Sequence, residues 1–405
     1  MAALELTLRC KQHAVLTAAY DPEIHAFLKV TEVVSPELVP FGARDGSGSL
    51  TRGKLNTWWQ DRAIPVTRDG YETLRARLGD VSALDLLERS HGLSLSDQYW
   101  MECSDDDLRW EDINFFDNPF DDELGMITLG EASDSDGAAA FKKSPNSSLG
   151  GNLKKAWVAD GRHRILLKAG SAPFYQEPYG EVIATELYSR LLSPGDYVPY
   201  RLVERESGTL SSCPCMVTRD ECLVPAWELI NSVKHRGDMS NWQHLVHRYE
   251  DLGLADAKAA LIKMFVCDYI LANRDRHWNN FGVVFDADTM QAKRVAPIFD
   301  TGSCLWFDAA SLELPIDFWY RPLPLIPERA RRIYPEDQLA LMDDYSWFDP
   351  DSLDGFPEAA GETLAKNGKL DAKRVDAVMA RVRQNIAEVA RRASARKAAL
   401  GAVAE

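Results

Sequence analysis

The spacing of apolar positions changes character several times along the chain. Residues 254–273 (LADAKAALIKMFVCDYILAN) are apolar with little interruption, which predicts a long helix at the centre of its domain. Residues 179–192 carry apolar side chains at 182, 183, 187, 191 and 192, the spacing of an amphipathic helix. Residues 368–397 do the same at 375, 378, 379, 382, 386 and 389, which predicts a terminal helix with a basic, solvated outer face. Short apolar runs at 163–170, 197–204 and 210–218 predict strands, the last two separated by Glu206, Ser207 and Gly208. Residues 281–300 predict two short strands around an Asp-Ala-Asp turn at 286–288. The first 100 residues form a mixed segment with short helices at 55–65 and 69–79. Pro65 and the Arg-Asp-Gly at 68–70 supply the turn between them, and Trp58 and Trp59 are expected to pack in a core or interface.

Composition narrows the picture. With 405 residues, 45% hydrophobic and 27% charged, the chain is globular, of two or three domains or one large bilobed one, and no internal repeat is visible. The net charge of −16 excludes a protein built overall to coat nucleic acid or anionic lipid. Residues 102–136 alone hold thirteen acids against Arg109, with Trp110, Phe115, Phe116 and Phe120 interleaved. Acids alone would make a solvated segment; the aromatics predict that it docks on another part of the molecule. Residues 131–141 are small and polar, and are expected to be a linker. The charged N-terminus does not read as a signal peptide, and no window approaches the roughly 20 apolar residues of a membrane helix. Seven cysteines fit reduced thiols and a cytoplasmic protein. Cys213, Cys215 and Cys222 cluster without a nearby fourth zinc ligand, so buried thiols on a strand are expected in preference to a metal site.

The chemistry concentrates in NRDRHWNNFGVVFD and RVAPIFD, between residues 273 and 300. Asp275 precedes Asn280 by five residues, and Asp300 ends the second strand. Phosphoryl transfer needs one carboxylate to orient or deprotonate the attacking hydroxyl. It also needs an amide oxygen and a second carboxylate, both hard ligands, to hold Mg²⁺ on the phosphates. Upstream, Lys168 ends an apolar strand and suits a phosphate-pairing lysine, which Glu181 or Glu186 of the following helix could fix in place. SSLGGN (147–152), flanked by Lys142, Lys143, Lys154 and Lys155, lies where a Gly-rich loop would cover the phosphates. The order of loop, lysine, glutamate, two strands, helical region, Asp-x4-Asn, strand pair and Asp predicts a kinase-like fold.

NRDRHWNNFG (273–282), APIFD (296–300), RILLKAG (164–170) and YGEVIATEL (179–187) resemble the HipA-like serine/threonine kinases, the toxins of bacterial toxin–antitoxin pairs. The resemblance covers roughly residues 141–390. It implies an α+β, bilobed protein-kinase-like fold: an N-terminal accessory region (1–135), a small β-rich lobe with the phosphate loop (136–222) and a larger helical lobe (223–405). It implies ATP and Mg²⁺ as cofactors, Asp275 as catalytic base, His277 as a brace of its loop, and Asn280 and Asp300 as metal ligands. Lys168, supported by Glu181, would contact the phosphates under a loop containing Ser148, Gly150, Gly151 and Asn152. The backbone around Val217, Thr218 and Glu221 would be the adenine-binding hinge. The family's phosphate loop carries an autophosphorylated serine, a position open to Ser144, Ser147 or Ser148. Expected partners are a Ser/Thr protein substrate and an antitoxin, with no direct nucleic-acid or membrane contact. Two other readings remain at this point. DRHWNN also resembles the phosphoinositide-kinase loop, and a pseudokinase would use the same fold as a binding module.

Overall fold

The structure, a computed structural model, describes residues 3–79, 81–104, 107–131, 143–310, 323–326 and 334–404. Apart from Glu131, the expected linker lies outside the described residues, as does Lys142.

The first 103 residues hold more strand than the sequence reading expected. Strands β1 (Leu4–Cys10), β2 (His13–Asp21) and β3 (Ala26–Val33) form an antiparallel meander, and β4 (Tyr99–Cys103) returns against β1. The order is β3-β2-β1-β4. Alternation drives it, since Leu6, Leu8 and Cys10 all turn inward while their neighbours face out. Helices α1 (Arg52–Gln60), α2 (Tyr71–Leu78) and α3 (Ala83–Arg89) follow the meander, and Trp58 and Trp59 of α1 are core residues as expected. Two short helices, α4 (Trp110–Ile113) and α5 (Glu123–Leu129), lie in the acidic segment, where Trp110 and Phe115 are buried. The segment docks, as its aromatics predict.

A second antiparallel sheet contains β5 (Lys155–Asp160), β6 (His163–Lys168), β7 (Arg201–Arg205) and β8 (Gly208–Pro214) in the order β5-β6-β8-β7. Helix α6 (Glu177–Leu191) sits between β6 and β7 in the chain. The predicted strand 197–204 starts only at Arg201. Tyr197 instead bridges Ile298, and Val198 N–H donates to the Ile298 carbonyl at 2.9 Å, so this stretch is used to reach the segment before Asp300. The predicted strand 210–218 likewise ends at Pro214, which leaves 215–220 as a connection between sheets.

The region after residue 220 is mostly helical but opens with a strand the sequence reading did not find. Strand β9 (Glu221–Pro225) pairs with β10 (Gly282–Asp286), which pairs with β11 (Ala292–Val295). Among the described residues its α-helices are α7 (Ala226–Asn231), α8 (Asn241–Asp251), α9 (Ala257–Leu271), α10 (Pro335–Leu339), α11 (Phe356–Ala365) and α12 (Ala372–Ala404). Helix α9 is the buried one, with a core-facing surface on nearly every side. It stops because Ala272 turns left-handed at φ 52°, and Asn385 of α12 donates to the freed carbonyls of Tyr269 (3.0 Å) and Ile270 (3.2 Å). All seven cysteines are free thiols. Cys213 lies on β8 and Cys222 on β9, both buried, and Cys215 lies in the connection between them. Burial pushes Cys213 up to about 12 and Cys215 up to about 11, which keeps them protonated. No described helix is long and apolar enough to cross a membrane.

Candidate active site

The site forms where β6, α6, the loop after α9 and the residues after β11 meet. Lys168 is the last residue of β6, and cross-strand pairing sets Lys155 directly opposite it, so both side chains leave the same face of the sheet. Two glycines let α6 approach closely. A Cβ on Gly180 would lie 2.6 Å from the Gly302 carbonyl, and one on Gly302 would lie 2.9 Å from the Glu177 carbonyl. The close approach places Glu181 where its Oε1 pairs with Lys168 Nζ and its Oε2 accepts from Thr301 N–H at 3.0 Å. Lys168 Nζ also pairs with Asp300 Oδ1 and lies 5.3 Å from the Tyr200 ring centroid. Glu186, the alternative partner, points away and pairs with Arg190 at 2.9 Å on the outer face of α6.

These charges determine one another. Burial alone would lower Lys168, but the Asp300 and Glu181 carboxylates outweigh it and hold the ammonium well above the ordinary lysine range. Burial alone would raise Asp300. The Lys168 and Lys155 ammoniums reverse that and keep its carboxyl well below the usual carboxylate range. Burial pushes Glu181 up, against the pull of Lys168. Among the described residues Lys155 has no such close partner, and burial lowers it to about 8 although Asp300 works against the fall. In the sequence it stands only as a charge flanking the Gly-rich loop, and the strand pairing is what brings it to the site. The signal available was its place at the start of a strand antiparallel to one ending in Lys168.

The catalytic-type loop is organised by Arg276, a residue to which the sequence motifs assign no role. Its guanidinium is buried and makes five hydrogen bonds. Nε and Nη2 bind the Asp268 carboxylate at 2.9 and 3.0 Å, and Nη2 also reaches Thr301 Oγ1 at 2.8 Å. Nη1 donates to the carbonyls of Asn280 (2.7 Å) and Phe299 (2.5 Å). All five N–H donors are therefore used, and one side chain ties α9, the loop and the 299–301 segment together. Within the loop, Asn280 Nδ2 donates to the Asp275 carbonyl at 2.9 Å, which leaves its Oδ1 as the acceptor end. Asn273 binds Asp268 at 2.7 Å and accepts from Asp275 N–H at 3.1 Å. Asp275 and His277 are partly open to solvent, 4.0 Å apart, and His277 Nδ1 accepts from Asn279 N–H at 3.2 Å. Asn280 is buried.

The Gly-rich loop is pinned from the accessory side. Arg68 donates to the Leu149 carbonyl and, at 2.9 Å, to the Gly151 carbonyl. Asn152 accepts from Thr67 Oγ1 (2.8 Å) and from Asp69 N–H (2.9 Å). Gly151 adopts φ 88°, a conformation that favours glycine, and Gly150 has open space around its Cα. Ser148 Oγ donates to the Leu93 carbonyl at 2.7 Å, while Ser144 and Ser147 are fully buried. In the 215–220 connection, Val217 is buried and Thr218 N–H donates to Glu221 Oε2 at 3.1 Å. Glu221 is further held by Arg294 (2.6 Å) and Lys293 (3.0 Å). Its side chain is thus committed to structure, and the Glu221 N–H donates to the Thr218 carbonyl at 3.1 Å. Gln98 of the first region donates to the Thr218 and Glu221 carbonyls at 3.3 and 2.9 Å.

The residues present suit Mg²⁺ and a nucleoside triphosphate by donor type. Asp300 and the Asn280 amide oxygen are hard ligands on backbones joined through one guanidinium, and Lys168, paired with Asp300, and Lys155 supply the cations.

No family model matches the chain. Over 81 residues it is 40% identical to serine/threonine-protein kinase CtkA of Helicobacter pylori, which covers 20% of this chain and 23% of that protein. The chain therefore spans about a quarter of the length of the curated relative it matches. The crystal structure of the Helicobacter pylori proinflammatory kinase CtkA aligns over 62% of this chain and 93% of its own, with 18% identity and a TM-score of 0.49. A segment of this chain is thus similar in sequence to a serine/threonine kinase, on a mixed scaffold of antiparallel sheets and helices.

Proposed function

We propose that the chain is an ATP- and Mg²⁺-dependent serine/threonine protein kinase of HipA-like type, with a bilobed kinase-like fold. The observation that carries the reading is the ion cluster of Lys168, Glu181 and Asp300 next to a loop presenting Asp275 and Asn280. The sequence similarity to CtkA over 81 residues supports the same class.

Each residue has a role in this reading. Lys168, held by Glu181, directs its ammonium at the triphosphate, and Lys155 adds a second cation from the facing strand. Because a peptide is planar and trans, turning the Leu149 and Gly151 carbonyls to Arg68 turns the N–H groups of Gly150 and Asn152 the other way, free to meet phosphate oxygens. Asn280 and Asp300 would hold Mg²⁺, which when bound neutralises charge on the phosphates. Asp275, partly exposed, orients a serine or threonine hydroxyl and takes its proton as the oxygen bonds to the γ-phosphorus. The bond from that phosphorus to its bridging oxygen breaks and ADP leaves. His277 braces the loop through Asn279 instead of carrying the proton. The backbone of 217–221 would receive the base.

Autophosphorylation belongs to the same proposal. Ser148 is the most accessible of the three loop serines, and the loop would have to leave Leu93 for its hydroxyl to react. An antitoxin partner is carried by the family resemblance. A co-purifying small protein that lowers transfer would support it.

The test is incubation with Mg²⁺ and labelled ATP, with and without a protein mixture, followed by mass measurement and mapping of any added phosphate. Wild type should gain phosphate or transfer it. Asp275→Asn should bind nucleotide as before and lose transfer by about 10²–10⁴-fold, the usual range for removing a positioned base. Nucleotide binding with no transfer by wild type would favour a pseudokinase, and transfer to phosphoinositide vesicles alone would favour the lipid-kinase reading.

A further inference from the structure

The acidic, aromatic segment has no part in the mechanism above, yet it is built into the site. Asn114 Oδ1 accepts from the N–H groups of Phe116 (3.0 Å) and Asp117 (2.9 Å), a local turn that fixes the backbone. Arg164 of β6 then clamps it. Nε donates to the Phe115 carbonyl at 2.5 Å, and Nη2 donates to the Phe116 and Asn118 carbonyls at 3.0 Å each. The guanidinium also lies 5.2 Å from the Phe120 ring centroid. On the other side, Asp117 pairs at 2.6 Å with Arg219, in the connection between β8 and β9. The segment is therefore anchored both to the lysine-bearing sheet and to the stretch expected to receive the base.

Between these anchors, the half-buried Phe116 ring packs against a small apolar cluster of Val217, Val284 and Ala296, next to Met216 and Phe299. That cluster reaches from the 215–220 connection to the residue immediately before Asp300. It is apolar and leads from the stretch expected to receive the base to Asp300, the partner of Lys168. We infer that Phe116 forms one face of a purine subsite and stacks on the base of the bound nucleotide, an inference that rests on the nucleotide-binding reading above. The chemistry of the segment fits this use. Its acids would repel phosphates, but the nearest, Asp117, is neutralised by Arg219, and the group offered at the cluster is an uncharged aromatic ring. The Phe116 N–H and carbonyl are both bound and its ring is packed on the cluster, so it loses little freedom on stacking.

The test uses the full chain with Phe116→Ala and Phe116→Trp, titrated calorimetrically with Mg-ATP, Mg-ADP and inorganic tripolyphosphate. Removing an aromatic from a stacked base should weaken ATP and ADP by about 5- to 150-fold. Tripolyphosphate, which has no base, should bind both variants as it binds wild type, and Phe116→Trp should keep nucleotide affinity within about threefold of wild type. Equal weakening of nucleotide and tripolyphosphate would reduce Phe116 to a packing residue and overturn the inference. So would unchanged or tighter ATP binding by Phe116→Ala. In both cases the kinase reading would stand. Failure of wild type to bind nucleotide or tripolyphosphate would remove that reading and this inference with it.

Discussion

Arg276→Lys separates the two functions that the guanidinium combines. Lysine keeps a positive charge beside the buried Asp268 carboxylate. It carries three N–H donors on one tetrahedral nitrogen, while arginine uses five in a planar fork to reach Asp268, Thr301 and the carbonyls of Asn280 and Phe299. At least two of these bonds must be lost. The carbonyls face the guanidinium from two different segments, and a lysine ammonium bound to Asp268 cannot span them. Leaving a buried polar group unsatisfied costs about 1–3 kcal/mol, so the variant should lose about 2–6 kcal/mol. That is a large share of a total stability of about 5–15 kcal/mol, yet the retained charge avoids the further penalty of stranding Asp268. Urea unfolding would give the change as a shift in midpoint at constant slope. Catalysis should fall further than binding, because the Asn280 and Phe299 carbonyls belong to the segments that aim Asn280 and Asp300. A displacement of about 1 Å there can cost about 10²-fold in rate. A stability loss under about 1 kcal/mol, or wild-type transfer by the folded variant, would show that Arg276 does not organise the site.

Two pH dependences follow from the same geometry. Lys155 titrates near 8 because burial disfavours its charge, so triphosphate affinity should weaken as pH rises through about 8, by up to tenfold per unit, and Lys155→Gln should bind weakly with a flat profile. Calorimetric titration between pH 6.5 and 9.5 measures both, and a flat wild-type profile would remove Lys155 from the phosphate site. Glu228 accepts from Gly42 N–H at 2.8 Å, and burial raises it to about 7. A folded-state value above the unfolded one means that the native state binds the extra proton. Stability from this group is therefore fully present below the ordinary glutamate value and declines as pH rises through 7. The loss is at most about 3 kcal/mol, and less because the side chain keeps partial exposure. Glu228→Gln should flatten the urea midpoint between pH 5 and 8, and an unchanged slope would refute the assignment.

Periodicity made much of the scaffold legible. The apolar face of α6, the all-round apolarity of α9 and the spacing of α12 are local properties, set by which side chains must leave water. Strands β1–β3 were equally local in origin, since Leu6, Leu8 and Cys10 alternate. Their boundaries carry little signal, because the turn between β1 and β2, Lys11 and Gln12, has none of the Gly, Pro, Asn or Asp that usually mark one. Strand β9 was not legible, because Glu221–Pro225 becomes a strand only by pairing with β10, sixty residues downstream in the chain.

The same division runs through the site. The order Lys168, Glu181, Asp275, Asn280, Asp300 is visible in one dimension because the chemistry of each type and its spacing are local. Sequence alone left Glu181 and Glu186 open, since both lie on the helix that follows Lys168. Tertiary packing decided between them: Gly180 and Gly302 let α6 settle against the Asp300 segment with Glu181 inward, and Glu186 was left to Arg190. Arg276 had no sequence signature, and Lys155 and Phe116 showed only as a charge near a strand and an aromatic in an acidic run, because the groups each one meets in the site were chosen by folding. A guanidinium, an ammonium or a phenyl ring acquires such a role only from the neighbours that folding supplies, and burial then sets both its charge state and its cost.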